Sequence, residues 1–374
     1  SFGASVALSG DLLLVGTPKS DEAAGVVSTY RRMVGGAWTA AGQLSADENR
    51  EGDQFGTVLA VDGYHAIVSA MGVNEGEGAV FAFTFDPSNN EWTSRGKLNT
   101  RVRQEAARTG ASLLLNGSRL AVGIPGVADR TGIVVLFELD EETGEWAFEG
   151  RLSPYASVRN EGFGSSLAST EDALWVGSPG FGGRGGTGAI YQFDLEDETG
   201  DVLGSHLLKT HELRSRGQFG ASLAAIDGLA VIGAPGYDNR AGVAFAAQRG
   251  ENGWTFGNPL ENESFGYESM AGELIECEDN TAGDFPCKDV DMTSFVSMSD
   301  LGADRGIRTN DLWGWEDPET GREYAIVGLS NQTSFVDVTD PYNPIYLGEL
   351  DMPKTARMSV WRDMKVYKNH AYIV

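Results

Sequence analysis

A Phe-Gly or Thr-Gly pair recurs through the first two thirds of the chain at Phe2-Gly3, Phe55-Gly56, Thr109-Gly110, Phe163-Gly164 and Phe219-Gly220, giving intervals of 53, 54, 54 and 56 residues. Sixteen residues after each aromatic or Thr stands Pro18, Met71, Pro125, Pro179 or Pro235, closing a Gly-x-Pro in four of the five copies. A glycine then opens a second apolar run at Gly25, Gly78, Gly132, Gly188 and Gly242. Trp38, Trp92, Trp146 and Trp254 follow, with Val202 in the fourth copy, and six residues further on stand Leu44, Leu98, Leu152, Leu208 and Leu260. Marks that stay in phase over five copies identify a repeat architecture, and that period outranks local propensity.

Each copy predicts four short strands. Ser9-Gly10, Asp62-Gly63, Asn116-Gly117 and Asp227-Gly228 are hairpin turns, because glycine and its small polar partners tolerate positive φ. The second strand, as in Leu12 to Val15 or Leu229 to Ile232, is apolar on both faces and therefore buried between sheets. The third partly alternates, as in Val80 to Phe85, and the fourth carries the Trp and the Leu. One such sheet cannot cover both of its faces, and radial stacking of copies covers them while leaving only short edges. The expected fold is all-β: a β-propeller of four-stranded antiparallel blades at about 2–54, 55–108, 109–162, 163–218 and 219–262.

The paired Phe-Gly and Gly-Ala-Pro motifs at this spacing resemble the FG-GAP repeats of integrin-α-like propellers, and more closely the bacterial variety whose blades end in Trp and Leu. The integrin calcium loop, Asp-x-Asp-x-Asp-Gly, is absent here, so no cofactor is expected and calcium is not carried over from the resemblance.

After Leu260 the rhythm stops, and residues 263–309 read as a linker holding both cysteines, Cys277 and Cys287. A disulfide, two free thiols and a metal site are the readings of that pair. The disulfide is expected, since zinc wants four ligands and no His lies nearby, and it would suit an oxidising compartment. Residues 310–374 turn to strands separated by Asp-Pro and Asn-Pro, as at Asp340-Pro341 and Asn343-Pro344. With the two cysteines and the Asp289-Val290-Asp291-Met292 run, this part resembles the bacterial choice-of-anchor B proteins, whose LVIVD-type repeats form a second propeller. That resemblance implies a secreted protein held at the cell surface by a C-terminal tail beyond residue 374.

The 54 acidic residues against 28 Lys and Arg give a net charge of −26, which disfavours nucleic acid and anionic membranes as partners. No apolar run is long enough to span a bilayer. His65, His206, His211 and His370 are scattered, and no Gly-x-Ser-x-Gly, His-Glu-x-x-His or phosphate loop occurs. Gly182 to Gly186, with Arg184 at its centre, reads as a long turn.

One constellation stands out. Arg130, Arg184 and Arg240 each lie five residues after the proline of a Gly-x-Pro, with Asp129 before the first and Asp238 shortly before the third. Equivalent loops share one face of a propeller, so these guanidinium groups are candidates to hold a carboxylate. The structural alternative is that each pairs with its neighbouring acid. Architecture, acidity and missing catalytic motifs together lead to the expectation of a non-enzymatic, secreted or cell-surface binding or adhesion protein engaging a protein or glycan. The alternative expectations are an extracellular hydrolase of polysaccharide or phosphoester, or a structural matrix component.

Overall fold

In the computed structural model, residues 2–373 are described except 156–157, 171, 184, 196–201, 211–212, 227, 252, 262–265, 362 and 368–369. The chain divides into two units, Ser1–Glu261 and Asn262–Val374.

The first unit is a β-propeller of five four-stranded antiparallel blades, each running in simple order from inner to outer strand. Blade 1 comprises Ser5–Ser9, Leu12–Thr17, Val26–Arg32 and Trp38–Leu44. Blade 2 comprises Phe55–Asp62, His65–Ala70, Ala79–Asp86 and Glu91–Lys97. Blade 3 comprises Ser112–Asn116, Arg119–Ile124, Ile133–Asp140 and Glu145–Leu152. Blade 4 comprises Ser166–Ser169, Ala173–Ser178, Ala189–Leu195 and Val202–Leu208. Blade 5 comprises Ser222–Ile226, Leu229–Ala234, Val243–Gly250 and Gly253–Leu260. The first turns are two-residue hairpins with Gly10, Gly63 and Gly117 at φ of 55°, 53° and 55°, as the primed hairpin turns require. The pairing of third and fourth strands slips by one residue in every blade, for instance at Thr29/Tyr30 and Leu136/Phe137. Such a bulge increases the local twist that radial packing needs.

The apolar cores lie between blades. Leu14 and Val27 of blade 1 pack with Phe55, Leu59 and Val68 of blade 2. Ile67 and Val80 meet Leu120, Val122 and Phe137 across the next seam, and Ala121 and Val134 meet Phe163, Val176 and Tyr191 across the third. At the fourth, Trp175 and Ile190 pack with Phe219, Ile232 and Phe245, and the Trp254 ring stands edge-on to Trp175 at 4.6 Å. The second strand is thus buried on both faces where it has two neighbours, with all of Ala173–Ser178 inaccessible, and on one face only in blade 5.

The period exists because the backbones touch at these seams. A Cβ added to Gly16, Gly123 or Gly177 would fall 2.1–2.2 Å from the carbonyl oxygen of Gly56, Gly164 or Gly220 of the following blade. Ser5, Ser112 and Ser166 donate to those same carbonyls at 2.6, 2.8 and 2.8 Å. Blade 2 varies the device: Ser69 stands where its neighbours have the Gly of Gly-x-Pro, and its hydroxyl accepts from the Val58 amide at 2.9 Å.

The second unit contains another four-stranded antiparallel sheet, Thr309–Glu316, Glu323–Leu329, Gln332–Asp337 and Ile345–Asp351, and a hairpin, Met364–Tyr367 with His370–Ile373. Its four-stranded sheet has the same simple antiparallel order as the blades of the first unit. The segment between Asn262 and Thr309 belongs to this unit, and in it Cys277 and Cys287 form a disulfide, their Cα atoms 5.9 Å apart. Among the described residues no helix is long and apolar enough to cross a membrane.

Candidate functional site

Two sets of connections share one face of the first propeller: the loops after each second strand, and the segments that enter the next blade. After the Gly-x-Pro of blades 1, 3 and 5, and after Ser69-Ala70-Met71 of blade 2, the chain makes a tight turn with left-handed residues. These are Asp21, Glu22 and Ala23 (φ 46°, 54°, 66°), Asn74 and Glu75 (49°, 55°), Ala128, Asp129 and Arg130 (52°, 57°, 62°), and Asp238, Asn239 and Arg240 (45°, 55°, 75°). Each such non-glycine residue costs about 1–2 kcal/mol. In blades 1, 2 and 3 a ladder of backbone bonds to the next blade offsets it. Gln54 and Phe55 donate to Ala23 and Ala24 oxygens, both at 2.8 Å, Arg108 and Thr109 to Gly76 and Glu77, both at 2.9 Å, and Gly162 and Phe163 to Arg130 and Thr131, both at 2.8 Å. Those carbonyls are committed to the seam, and among the turn side chains Asp21, Glu22, Asn74, Glu75, Arg130 and Arg240 are exposed.

Arg130 and Arg240 are the last left-handed residues of equivalent turns in blades 3 and 5, both exposed. Arg184 lies outside the described residues. Asp129 and Asp238 do not pair with the arginine of their own turn: Asp129 binds Arg159 at 3.2 Å and Asp238 binds Arg214 at 2.6 Å. The alternative in which each turn arginine is neutralised by its neighbouring acid therefore does not hold at these two turns. Among the described residues neither the Arg130 nor the Arg240 guanidinium has an ion-pair partner.

The entry segments carry what the sequence reading missed. Arg50, Arg103, Arg159 and Arg214 stand four to six residues before the motif of blades 2, 3, 4 and 5, and each holds a carboxylate: Glu48 at 3.0 Å, Glu77 at 3.4 Å, Asp129 and Asp238. The Arg214 guanidinium also lies over the Tyr237 ring, 5.0 Å from its centroid. The signal was present as an arginine in phase with the repeat, at a spacing loose enough to pass unnoticed. The face thus holds two kinds of arginine. One kind is spent on loop acids and the other is free to meet an anion.

Glu161 is fully buried. Its carboxylate accepts from the Tyr191 hydroxyl at 2.5 Å and from the Val158 amide at 3.0 Å, and burial together with the bond to Glu161 pushes the Tyr191 phenol well above its ordinary pKa. These groups tie the entry of blade 4 and reach no solvent. His65 is held below its usual pKa by burial and then by Arg95, and His206 meets Asp194 at 2.8 Å; His211 is outside the described residues. Among the described residues no three His, Cys, Asp or Glu side chains converge as a metal would require.

A cleft of about 400 Å³ in the first propeller is lined by Thr100, Arg101, Phe148 and Arg151, among others. In it the Arg101 guanidinium covers the Phe148 ring at 3.9 Å, a cation over an aromatic face.

No protein-family model matches the chain, and no curated protein matches it. Among solved structures it is similar to the periplasmic gluconolactonase of Pseudomonas aeruginosa, at 13% identity and a TM-score of 0.48, over 94% of this chain and 85% of that one. A protein from Lactobacillus plantarum gives the same identity and TM-score over 94% and 86%. At this identity the likeness is one of fold. The expectation of a non-enzymatic adhesion protein is withdrawn, because it leaned on the absence of a catalytic motif; the named neighbour, a gluconolactonase, runs against it, and the likeness assigns no activity to this chain. The physical reason is that catalytic groups on a propeller come from separate loops and leave no contiguous motif, so neither the fold nor the missing signatures argue against catalysis.

Proposed function

We propose that the protein is an exported hydrolase of a carboxylate-bearing carbohydrate or sugar-acid ester, with the substrate held on the loop face of the first propeller. The observation that carries this is the pair Arg130 and Arg240: two guanidinium groups at the same position of equivalent turns, exposed and without acidic partners among the described residues, on a chain of net charge −26. An arginine left unpaired amid so much negative charge suits a planar carboxylate, which it binds through two parallel hydrogen bonds. The same donors stabilise the oxyanion that develops when water attacks an adjacent acyl carbon. Asp129 and Asp238, oriented by Arg159 and Arg214, are the carboxylates of the same two turns and supply the base that activates the water.

The Cys277–Cys287 disulfide supports export, since such bridges persist in oxidising compartments. The resemblance of roughly residues 275–374 to choice-of-anchor B proteins, which implies secretion, points the same way.

The test is turnover of a panel of uronate polysaccharides, sugar lactones and sugar-acid esters, followed by proton release. Hydrolysis by the intact chain that falls at least tenfold in kcat/KM for Arg130→Ala combined with Arg240→Ala supports the proposal. No hydrolysis of any member, or hydrolysis indifferent to both arginines, refutes it.

A further inference from the structure

The fourth strands of blades 1, 2 and 3 carry their bulge at the same place, and blade 3 alone uses it to set an aromatic ring beside an arginine. In a regular strand residues three apart point to opposite sides. The register of blade 3 slips at Leu136/Phe137, so that Phe148 pairs with Phe137 and Arg151 with Val135. The extra residue turns both side chains to the side that faces blade 2. There Phe148 stands edge-on to Phe137 at 6.1 Å and packs on the core formed by Ile67, Val80 and Phe137. Both Phe148 and Arg151 line the cleft of about 400 Å³ at this seam.

Arg101 reaches the same cleft from the segment that enters blade 3, three residues beyond Leu98. A left-handed φ of 60° and a bond from its amide to Asn99 Oδ1 at 3.1 Å hold it in a tight turn. Its guanidinium carbon lies 3.9 Å from the centroid of the Phe148 ring. That contact occupies the face of the guanidinium and leaves its N–H edge for an acceptor. Ile133 and Val135 form an apolar wall, and among the described residues no Asp or Glu lines the cleft, on a chain that has 54 of them. Among the described residues neither Arg101 nor Arg151 has an ion-pair partner. Counted from the leucine that closes each blade, the seam before has Asp47, Ser94 and Lys97 at these places, and the seam after has Tyr155, Gly204 and Leu207. The trio Arg101, Phe148 and Arg151 is therefore not something the seam itself requires.

From this geometry we infer that the cleft between blades 2 and 3 binds a carboxylate-bearing sugar, with Arg101 and Arg151 on the carboxylate and the wall of Ile133 and Val135 against the ring. A guanidinium holds a planar carboxylate through two parallel hydrogen bonds. The volume of about 400 Å³ falls at the small end of ligand sites, which run from about 300 to 1,000 Å³. Arg101 belongs to an entry segment on the same face as the Arg130 turn, so the cleft serves as a subsite for a further residue of the same ligand. This narrows the substrate proposed above to an anionic polysaccharide, and it rests on that reading for the polymer but not for the binding.

Calorimetric titration of the full chain carrying Arg130→Ala and Arg240→Ala tests the cleft apart from turnover, with oligogalacturonate, oligoglucuronate and oligoalginate as probes. At least one probe is expected to bind, and its fully methyl-esterified form to bind at least tenfold more weakly. Adding Arg101→Gln and Arg151→Gln to that background is expected to weaken binding at least tenfold. Gln keeps part of the Arg101 stem over Phe148, and a thermal melt checks that the variant folds. If it does not, Arg151→Gln alone, which leaves the contact of Arg101 with Phe148 in place, is read instead, with the same direction expected. No binding of any probe, binding that survives the arginine substitutions, or equal binding of the methyl ester would overturn the inference. So would tighter binding of polyglutamate, which would mark an acidic polypeptide as the occupant. Absence of hydrolysis by the wild type would count against the proposed function and leave the binding result standing.

Discussion

The Ser166 hydroxyl donates to the Gly220 carbonyl at 2.8 Å across the seam between blades 4 and 5, and it sits where a Cβ on Gly177 would intrude, 2.1 Å from both oxygens. Serine and glycine act as a unit: one supplies the donor, the other the space for the carbonyl to approach. Gly177→Ala is therefore expected to cost about 2–3 kcal/mol by overpacking a backbone contact that has no side chain to move aside. Ser166→Ala, which loses a single buried bond, should cost about 1 kcal/mol. Urea denaturation of the two variants measures both, and equal effects would contradict this account of the seam.

The leading aromatic is expected to matter in proportion to its burial. Phe163 packs edge-on to Tyr191 and Phe193 at 5.2 and 5.9 Å, so Phe163→Ala should cost about 3–5 kcal/mol. Phe2→Ala, at the same motif position with the ring in solvent, should change the stability of the dilute protein by less than about 0.5 kcal/mol. Denaturation midpoints read the contrast directly.

That contrast bears on what the sequence could disclose. The period was legible because close backbone approach forbids a side chain at Gly25, Gly132 and Gly188, each of which would strike the Phe carbonyl of the next blade. The left-handed turns were not legible, because Ala128, Asp129 and Arg130 contain no glycine to announce positive φ, and their carbonyls are engaged by Asn160 and Gly162, distant in sequence, of the next entry segment. For the same reason Arg130 could be placed on the loop face from its spacing alone, whereas the pairing of Asp129 with Arg159 depends on a neighbouring blade. The expectation of a binding protein leaned on missing motifs, which are no guide to groups contributed by different loops of a folded protein.

Acid should loosen the seam between blades 4 and 5. Burial alone would raise the Asp172 pKa, but hydrogen bonds from Arg249 and Thr170 and the Arg249 charge together outweigh it and hold the carboxyl below its ordinary value. A depressed pKa in the folded state contributes stability that is present above the unfolded value and is lost as pH falls through the folded one. Thermal stability is thus expected to decline below about pH 4, and Asp172→Asn should flatten part of that decline while lowering stability at neutral pH. An acid limb unchanged by Asp172→Asn would show that this pair contributes nothing to it.

Reduction should act locally. The Cys277–Cys287 bridge closes a loop with a sequence separation of 10 in the second unit, for which a constraint of about 2–3 kcal/mol is expected. Hydrogen exchange after reduction, or in Cys277→Ser, should accelerate around residues 275–292 and leave the amides of the five blades as protected as before. Loss of protection in the first propeller would contradict the division into two units.

The role given to Arg130 and Arg240 is tested most directly by comparing kcat/KM for one hydrolysed substrate bearing a free carboxylate with kcat/KM for its neutral methyl ester, in wild type and in the double alanine variant. The expected result is a preference of at least tenfold for the carboxylate in wild type, worth about 1.4 kcal/mol. In the variant it should collapse towards unity with the melting temperature nearly unchanged. A preference that survives removal of both arginines, or one that disappears only because the protein has unfolded, would contradict it.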